Sequence, residues 1–243
     1  MKLLHRIIIV TVFAIAMGLL ESAVVIYLRE IMYPEGFSFP LAPIHPHLAF
    51  TEILREMATL IMLLTVGFLA GKTISQRFAW FVFSFAIWDI FYYIFLWVLI
   101  GWPESLMTWD ILFLIPITWT GPVLSPLLVT LVMILFSMVI LVSSEKDAAV
   151  HIKIQEWSLM IIGSLIVVIA FTTDYVKHML TRFSFVELFN VRDQELIDIA
   201  QQYIPDSFPW FIFLAGLLVI LGAIGLMGYR LRGYLFPKRT DLN

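Results

Sequence analysis

Phe78-Ala-Trp-Phe-Val-Phe-Ser-Phe-Ala-Ile-Trp-Asp-Ile-Phe-Tyr-Tyr-Ile-Phe-Leu-Trp-Val-Leu-Ile100 is an apolar run with one formally charged residue, Asp89, near its middle. A helix needs roughly 20 residues to cross about 30 Å of hydrocarbon, so this run reads as a membrane span. Five others have comparable length, and spans are expected at about 7–29, 49–70, 78–100, 120–142, 157–175 and 209–229. Composition agrees: 61% hydrophobic and 14% charged residues, with mean hydropathy +0.97, leave too little polar surface for a soluble globule. The expected fold class is an all-α membrane protein, one polytopic domain over 1–243 built as a bundle of about six transmembrane helices.

The N-terminal Met-Lys-Leu-Leu-His-Arg before an apolar run imitates a signal peptide, but the run is over-long and Gly18-Leu-Leu-Glu-Ser-Ala23 is a poor cleavage site. It is read as a retained first span. With the N-terminus cytoplasmic, that side holds Lys2, Arg6, Lys72, Arg77, Lys146, Lys153, Arg230, Arg232, Lys238 and Arg239, ten of the fifteen basic residues. This bias satisfies the positive-inside rule and places both termini in the cytoplasm, in a cell (inner) membrane. The opposite face is acidic, with Glu30, Glu35, Glu104, Asp110, Asp174, Glu187, Asp193, Glu195, Asp198 and Asp206.

Asp89 has company at membrane depth. Glu21 lies in the first span, and Glu52 and Glu56 open the second from its outer side. An aspartate at a helix centre costs about 2.5–3.5 kcal/mol on insertion scales, so intramembrane acids mark functional sites by default. Glu52 and Glu56 are four apart and share a helix face, with Arg55 alongside and Thr59 one turn deeper. Tyr92 and Tyr93 sit one turn outward from Asp89. Glu21, Glu52, Arg55, Glu56, Asp89, Tyr92 and Tyr93 are therefore expected to form one polar pocket in the outer half of the membrane, able to hold protons or a ligand. Ala14, Gly18 and Ser22, and separately Ala215, Gly222 and Gly225, are small-residue stripes that would let helices approach closely.

Between the spans, 33–48 carries Pro34, Pro40, Pro43 and Pro46 and reads as a stiff loop. Residues 103–126 carry Pro103, Pro116, Pro122 and Pro126 yet stay apolar over 111–119. That segment is expected to be re-entrant or interfacial, as a half-helix with Asp110 at its start. Residues 193–204 have helical apolar spacing and read as an outer amphipathic helix. Trp97, Trp102, Trp109, Trp119 and Trp210 fall near the outer boundary as an anchoring belt.

His45, His47, Asp174 and His178 all fall on the outer side, and Asp174 and His178 are four apart. With Glu52 or Glu56 they offer nitrogen and oxygen ligands for zinc or iron. The absence of cysteine excludes disulfides, thiolate metal sites and cysteine nucleophiles. No span interior holds the histidine a buried haem needs or the lysine a retinal linkage needs, and nucleotide-binding and serine-hydrolase motifs are missing. No basic patch suits nucleic acid.

Three classes of function remain. The first is a non-catalytic, membrane-embedded subunit of a larger complex, with energy-converting assemblies among the candidates and the acids serving protons. The second is a proton- or cation-coupled transporter or channel, and the third an outward-facing metal-dependent membrane enzyme. The partners implied are the lipid bilayer and either other membrane subunits or further copies of the chain.

Overall fold

The computed structural model describes residues 2–189 and 194–235. Six of its helices are long and apolar enough to cross a membrane: α1 (Leu3–Met32), α2 (Pro46–Ala70), α3 (Ile74–Ile100), α4 (Leu124–Lys146), α5 (Ile154–Met179) and α7 (Trp210–Arg230). The short helices α6 (Gln194–Gln201) and α8 (Arg232–Leu235) and the strands β1 (Trp109–Phe113) and β2 (Trp119–Pro122) complete the described chain. The protein is an all-α membrane bundle in architecture, with one two-stranded hairpin inserted.

Local chemistry sets the helix ends. Pro46 starts α2, where its missing N–H costs nothing. The Thr73 hydroxyl accepts from the Gln76 N–H at 3.3 Å and opens α3. At the other end of α3, Gly101 adopts φ 68°, a left-handed conformation that glycine takes without a Cβ clash. The Lys153 N–H donates to Glu156 Oε2 at 2.7 Å, capping α5.

Packing falls into two groups. In the first, α3 is the hub against which α1, α2 and α4 lie. α1 crosses α3 where Gly18 leaves room: a Cβ there would sit 3.0 Å from the Trp88 carbonyl oxygen. Ala14, Gly18 and Ser22 are all buried on this face, and the Ser22 hydroxyl donates to the Tyr92 carbonyl at 3.0 Å. In the second group, α5 and α7 meet backbone to backbone, since a Cβ on Gly163 would lie 2.8 Å from the Gly216 oxygen. The expected stripe on this helix is thereby corrected. Ala215 is exposed and Gly222 and Gly225 have open space beside them, because the contact face is set by Gly216 opposite Gly163.

Residues 103–126 also differ from expectation. They form the β1–β2 hairpin, paired antiparallel with Asp110 opposite Gly121 and Ile111 opposite Thr120, and contain no half-helix. Asp110 is a strand residue rather than a helix-terminal acceptor. The fourth span starts at Leu124 rather than near 120, because Trp119–Pro122 pairs with β1 instead of extending the helix. The outer helix is present as α6, which buries Leu196 and Ile197; Asp193 lies outside the described residues.

Hydrogen bonds identify the two ends of the bundle. Arg6 Nη2 donates to Glu145 at 2.8 Å, and Arg230 Nη2 donates to Glu156 at 2.7 Å and to the His151 carbonyl at 2.9 Å. The Ile152 N–H donates to Ser75 at 3.0 Å. These bonds gather the start of α1, the α2–α3 and α4–α5 turns and the end of α7 at one basic end; Lys238 and Arg239 lie outside the described residues. The opposite end carries the 33–45 loop, the hairpin and α6.

Candidate functional site: a carboxylate cavity at the hairpin end

At the hairpin end, α1, α2, α3, β1, the 33–45 loop and α6 enclose a cavity of about 300 Å³. Its lining includes all seven residues expected to share a pocket: Glu21, Glu52, Arg55, Glu56, Asp89, Tyr92 and Tyr93. Three separate helices, α1, α2 and α3, bring them to one place. Arg29 of α1 and Asp110 of β1 join them, so five carboxyl groups and two guanidinium groups line one cavity.

Arg55 is the clamp between α1 and α2. One of its amino groups is hydrogen-bonded to Glu21, and its Nε donates to Glu52 at 2.8 Å. The Thr59 hydroxyl lies 3.3 Å from the second Glu21 oxygen. Arg55 thus satisfies Glu21 and Glu52 together. Glu56 has a different partner: both of its oxygens accept from the Leu114 N–H, at 3.1 and 2.9 Å. This ties α2 to the end of β1 and satisfies a backbone donor that the hairpin would otherwise strand.

A second clamp fixes the hairpin to α1 and α3. Arg29 Nη2 donates to Asp110 Oδ1 at 3.0 Å and the Tyr93 hydroxyl donates to Asp110 Oδ2 at 3.2 Å, with Asp110 only 1 % exposed. Burial pushes the Asp110 carboxyl above the usual carboxylate range, against the opposing pull of Arg29, Tyr93 and the Ile111 N–H. The Arg29 guanidinium packs into the corner between two perpendicular aromatic rings, 3.7 Å from the Trp102 centroid and 4.3 Å from that of Phe37. Trp102 and Phe37 thereby cover a charge.

Asp89 stands apart. Its Oδ2 is buried without a hydrogen-bond partner, and the neighbouring Trp88 indole N–H is likewise buried and unpartnered. Aromatic residues adjoin it along α3: Trp88 stacks on Tyr92 with centroids 6.4 Å apart, and Tyr92 meets Tyr93 edge-on at 4.9 Å.

The proposed metal ligands do not assemble. Among the described residues, no three His, Cys, Asp or Glu side chains are placed to share an ion. Asp174 accepts from the Tyr203 hydroxyl at 2.7 Å and the Asp206 N–H at 3.1 Å. His178 Nε2 lies 3.1 Å from the Ile199 carbonyl. His45 precedes the first turn of α2 and His47 lies within that turn. The spacing of Asp174 and His178 serves to attach α6 and the segment after it to α5.

Sequence reasoning offers Arg29, near the outer boundary, as a partner that neutralises Glu21, Glu52 and Glu56 beside Arg55, but leaves Asp110 out of the site, in a segment read as a half-helix. The usable signal was the pairing of one buried-type acid in an apolar loop with one arginine at the end of the first span. Comparison with family models, with curated proteins and with solved structures finds no match to the chain.

Proposed function

We propose that this protein is a cation-handling membrane protein whose working centre is the hairpin-end cavity, the proton being the simplest cation it takes up. One observation carries the reading: five carboxyl groups share two guanidinium groups, and the surplus includes one carboxyl oxygen with no partner. A buried charge must be paired or neutralised, so a cavity with surplus carboxyl groups binds positive charge from outside. Coupled to conformational change, this is the chemistry of a proton- or cation-coupled transporter. The collection of basic residues at the other end supports cytoplasmic termini in a cell (inner) membrane, with the cavity facing outward.

A second reading makes the chain a non-catalytic subunit that passes the bound charge to a neighbour in a larger complex. It is favoured by α2, whose one extensive packing partner is α3 and which leaves Leu54, Met57, Ile61, Leu64, Phe68 and Leu69 exposed along its length. Stoichiometric co-purification of other membrane proteins in mild detergent distinguishes it from a stand-alone carrier.

The test of the central claim is pH-difference infrared spectroscopy of the purified protein, reading the C=O stretch of protonated carboxyl groups. A titrating band is expected in the native protein, reduced in Asp89→Asn and unchanged in Glu104→Gln, an exposed-loop control. A spectrum in which Asp89→Asn and Glu104→Gln both match the native protein removes the reading.

A further inference from the structure

We infer that the cation taken by this cavity, beyond the proton, is a small organic ammonium ion with an apolar body, bound through its N–H groups to Asp89; this rests on the cation-handling reading above. Accounting for partners singles out the residue. Glu21 and Glu52 are held by Arg55, Glu56 by the Leu114 N–H, and Asp110 by Arg29 and Tyr93. Asp89 is the cavity carboxylate with a buried oxygen that nothing in the described residues satisfies. Trp88 beside it is 7 % exposed, lines the same cavity, and keeps an unpartnered indole N–H. One wall therefore has an acceptor and a donor without protein partners; Arg29 Nη1, elsewhere in the lining, is likewise unpartnered.

The surroundings decide which cation fits. An inorganic ion must exchange its hydration shell for several oxygen ligands at once, and no three carboxylate or imidazole groups converge among the described residues. An ammonium ion needs far less: up to three donors for one carboxylate, and aromatic faces for the remaining charge. Trp88 and Tyr92, which line the cavity with Asp89, supply the aromatic surface. Above them the walls are apolar, with Val25, Leu28, Met32, Ile53 and Leu112 among the lining residues. They suit a hydrocarbon body and give nothing to a hydrated ion. A cavity of about 300 Å³ lies at the small end of ligand pockets, the size of one ring or a short chain. A hydroxyl or ether oxygen next to the ammonium group would take the Trp88 N–H.

Isothermal titration of the full-length protein in detergent, with benzylammonium as probe and benzyl alcohol as its uncharged counterpart, tests this. The expected result is saturable benzylammonium binding, at least tenfold weaker in Asp89→Asn and several-fold weaker in Tyr92→Leu, with no saturable heat from benzyl alcohol. Glu104→Gln is expected to bind as the native protein does. Thermal unfolding of each variant separates lost binding from lost fold, and Tyr92→Leu keeps the test valid should Asp89→Asn fail to fold. Equal affinity in native protein and both variants, or saturable binding of benzyl alcohol with similar affinity, overturns the inference. Absence of benzylammonium binding with the infrared carboxyl band still titrating overturns the ammonium assignment alone; absence of both removes the cation-handling reading as well.

Discussion

The two ends of the bundle treat buried charge in opposite ways. At the basic end two acids each have an arginine of their own: the exposed Glu145 has Arg6, and the buried Glu156 has Arg230 through two hydrogen bonds, at 2.8 and 2.7 Å. At the hairpin end five acids divide two arginines, and Asp89 keeps an oxygen to itself. Matched pairs fix helices in register. An unmatched acid stabilises nothing by itself and leaves the cavity able to bind. The difference separates scaffold from site without reference to any motif.

Breaking a matched pair is expected to have the largest effect on stability. Arg29→Met leaves Asp110 buried without its cation, and removal of one partner of a buried pair costs about 3–5 kcal/mol; thermal or denaturant unfolding in detergent reads it. Arg230→Met should cost somewhat less, about 2–3 kcal/mol, because Glu156 keeps its bond to the Lys153 N–H. It should leave cation binding at the other end unchanged. If Arg230→Met abolished that binding, the separation of scaffold from site would be wrong.

A steric control sits away from both clusters. Gly216→Val forces a side chain toward the Gly163 carbonyl, which a Cβ would already approach to 2.9 Å, and overpacking of this kind costs about 1–3 kcal/mol. Asp89→Asn is the sharpest contrast: replacing an acid with an unpartnered oxygen should shift stability by less than about 1 kcal/mol while reducing the titrating carboxyl signal. Glu21→Gln should fall between, losing function and some stability together, since Glu21 is both cavity wall and Arg55 partner. Both should impair function more than Glu104→Gln.

The smallest effect concerns pH at the basic end. Asp147 is held below its ordinary value by the Ala149 N–H and the Tyr234 hydroxyl. A carboxyl lowered on folding contributes stability near neutral pH that is lost as pH falls through the lowered value. The difference in melting temperature between native protein and Asp147→Asn should therefore shrink on acidification. A difference that grows instead would contradict the assignment.

Several of these particulars were legible before any coordinates. The run 78–100 announces a span because its length matches the hydrocarbon thickness, and Asp89 within it announces a site because burying a carboxylate there is costly. Glu52, Arg55 and Glu56 could be placed on neighbouring faces of one helix from their spacing alone, as could α6 from its apolar periodicity. The hairpin could not, because 111–119 is apolar without clean alternation and its pairing partner lies across a proline-containing turn. Nor could the division of labour among the acids. Glu56 shares a helix face with Glu52, the partner of Arg55, yet its own oxygens take the backbone N–H of Leu114 at the end of β1, 58 residues away.

The sequence by itself determined the solvent of this protein, its six spans, the basic bias of one end and the presence of acids at membrane depth. All of these follow from composition and local periodicity, which act through the bilayer and the helix geometry. Only the tertiary structure decided that the acids share one cavity, that Arg29 and Asp110 belong to it, that the histidines do not converge, and that Asp89 is the group left unpaired. The reason is that pairing depends on distances between elements remote in the chain, set by how Gly18, Gly163 and Gly216 let backbones approach and by where a β-hairpin docks.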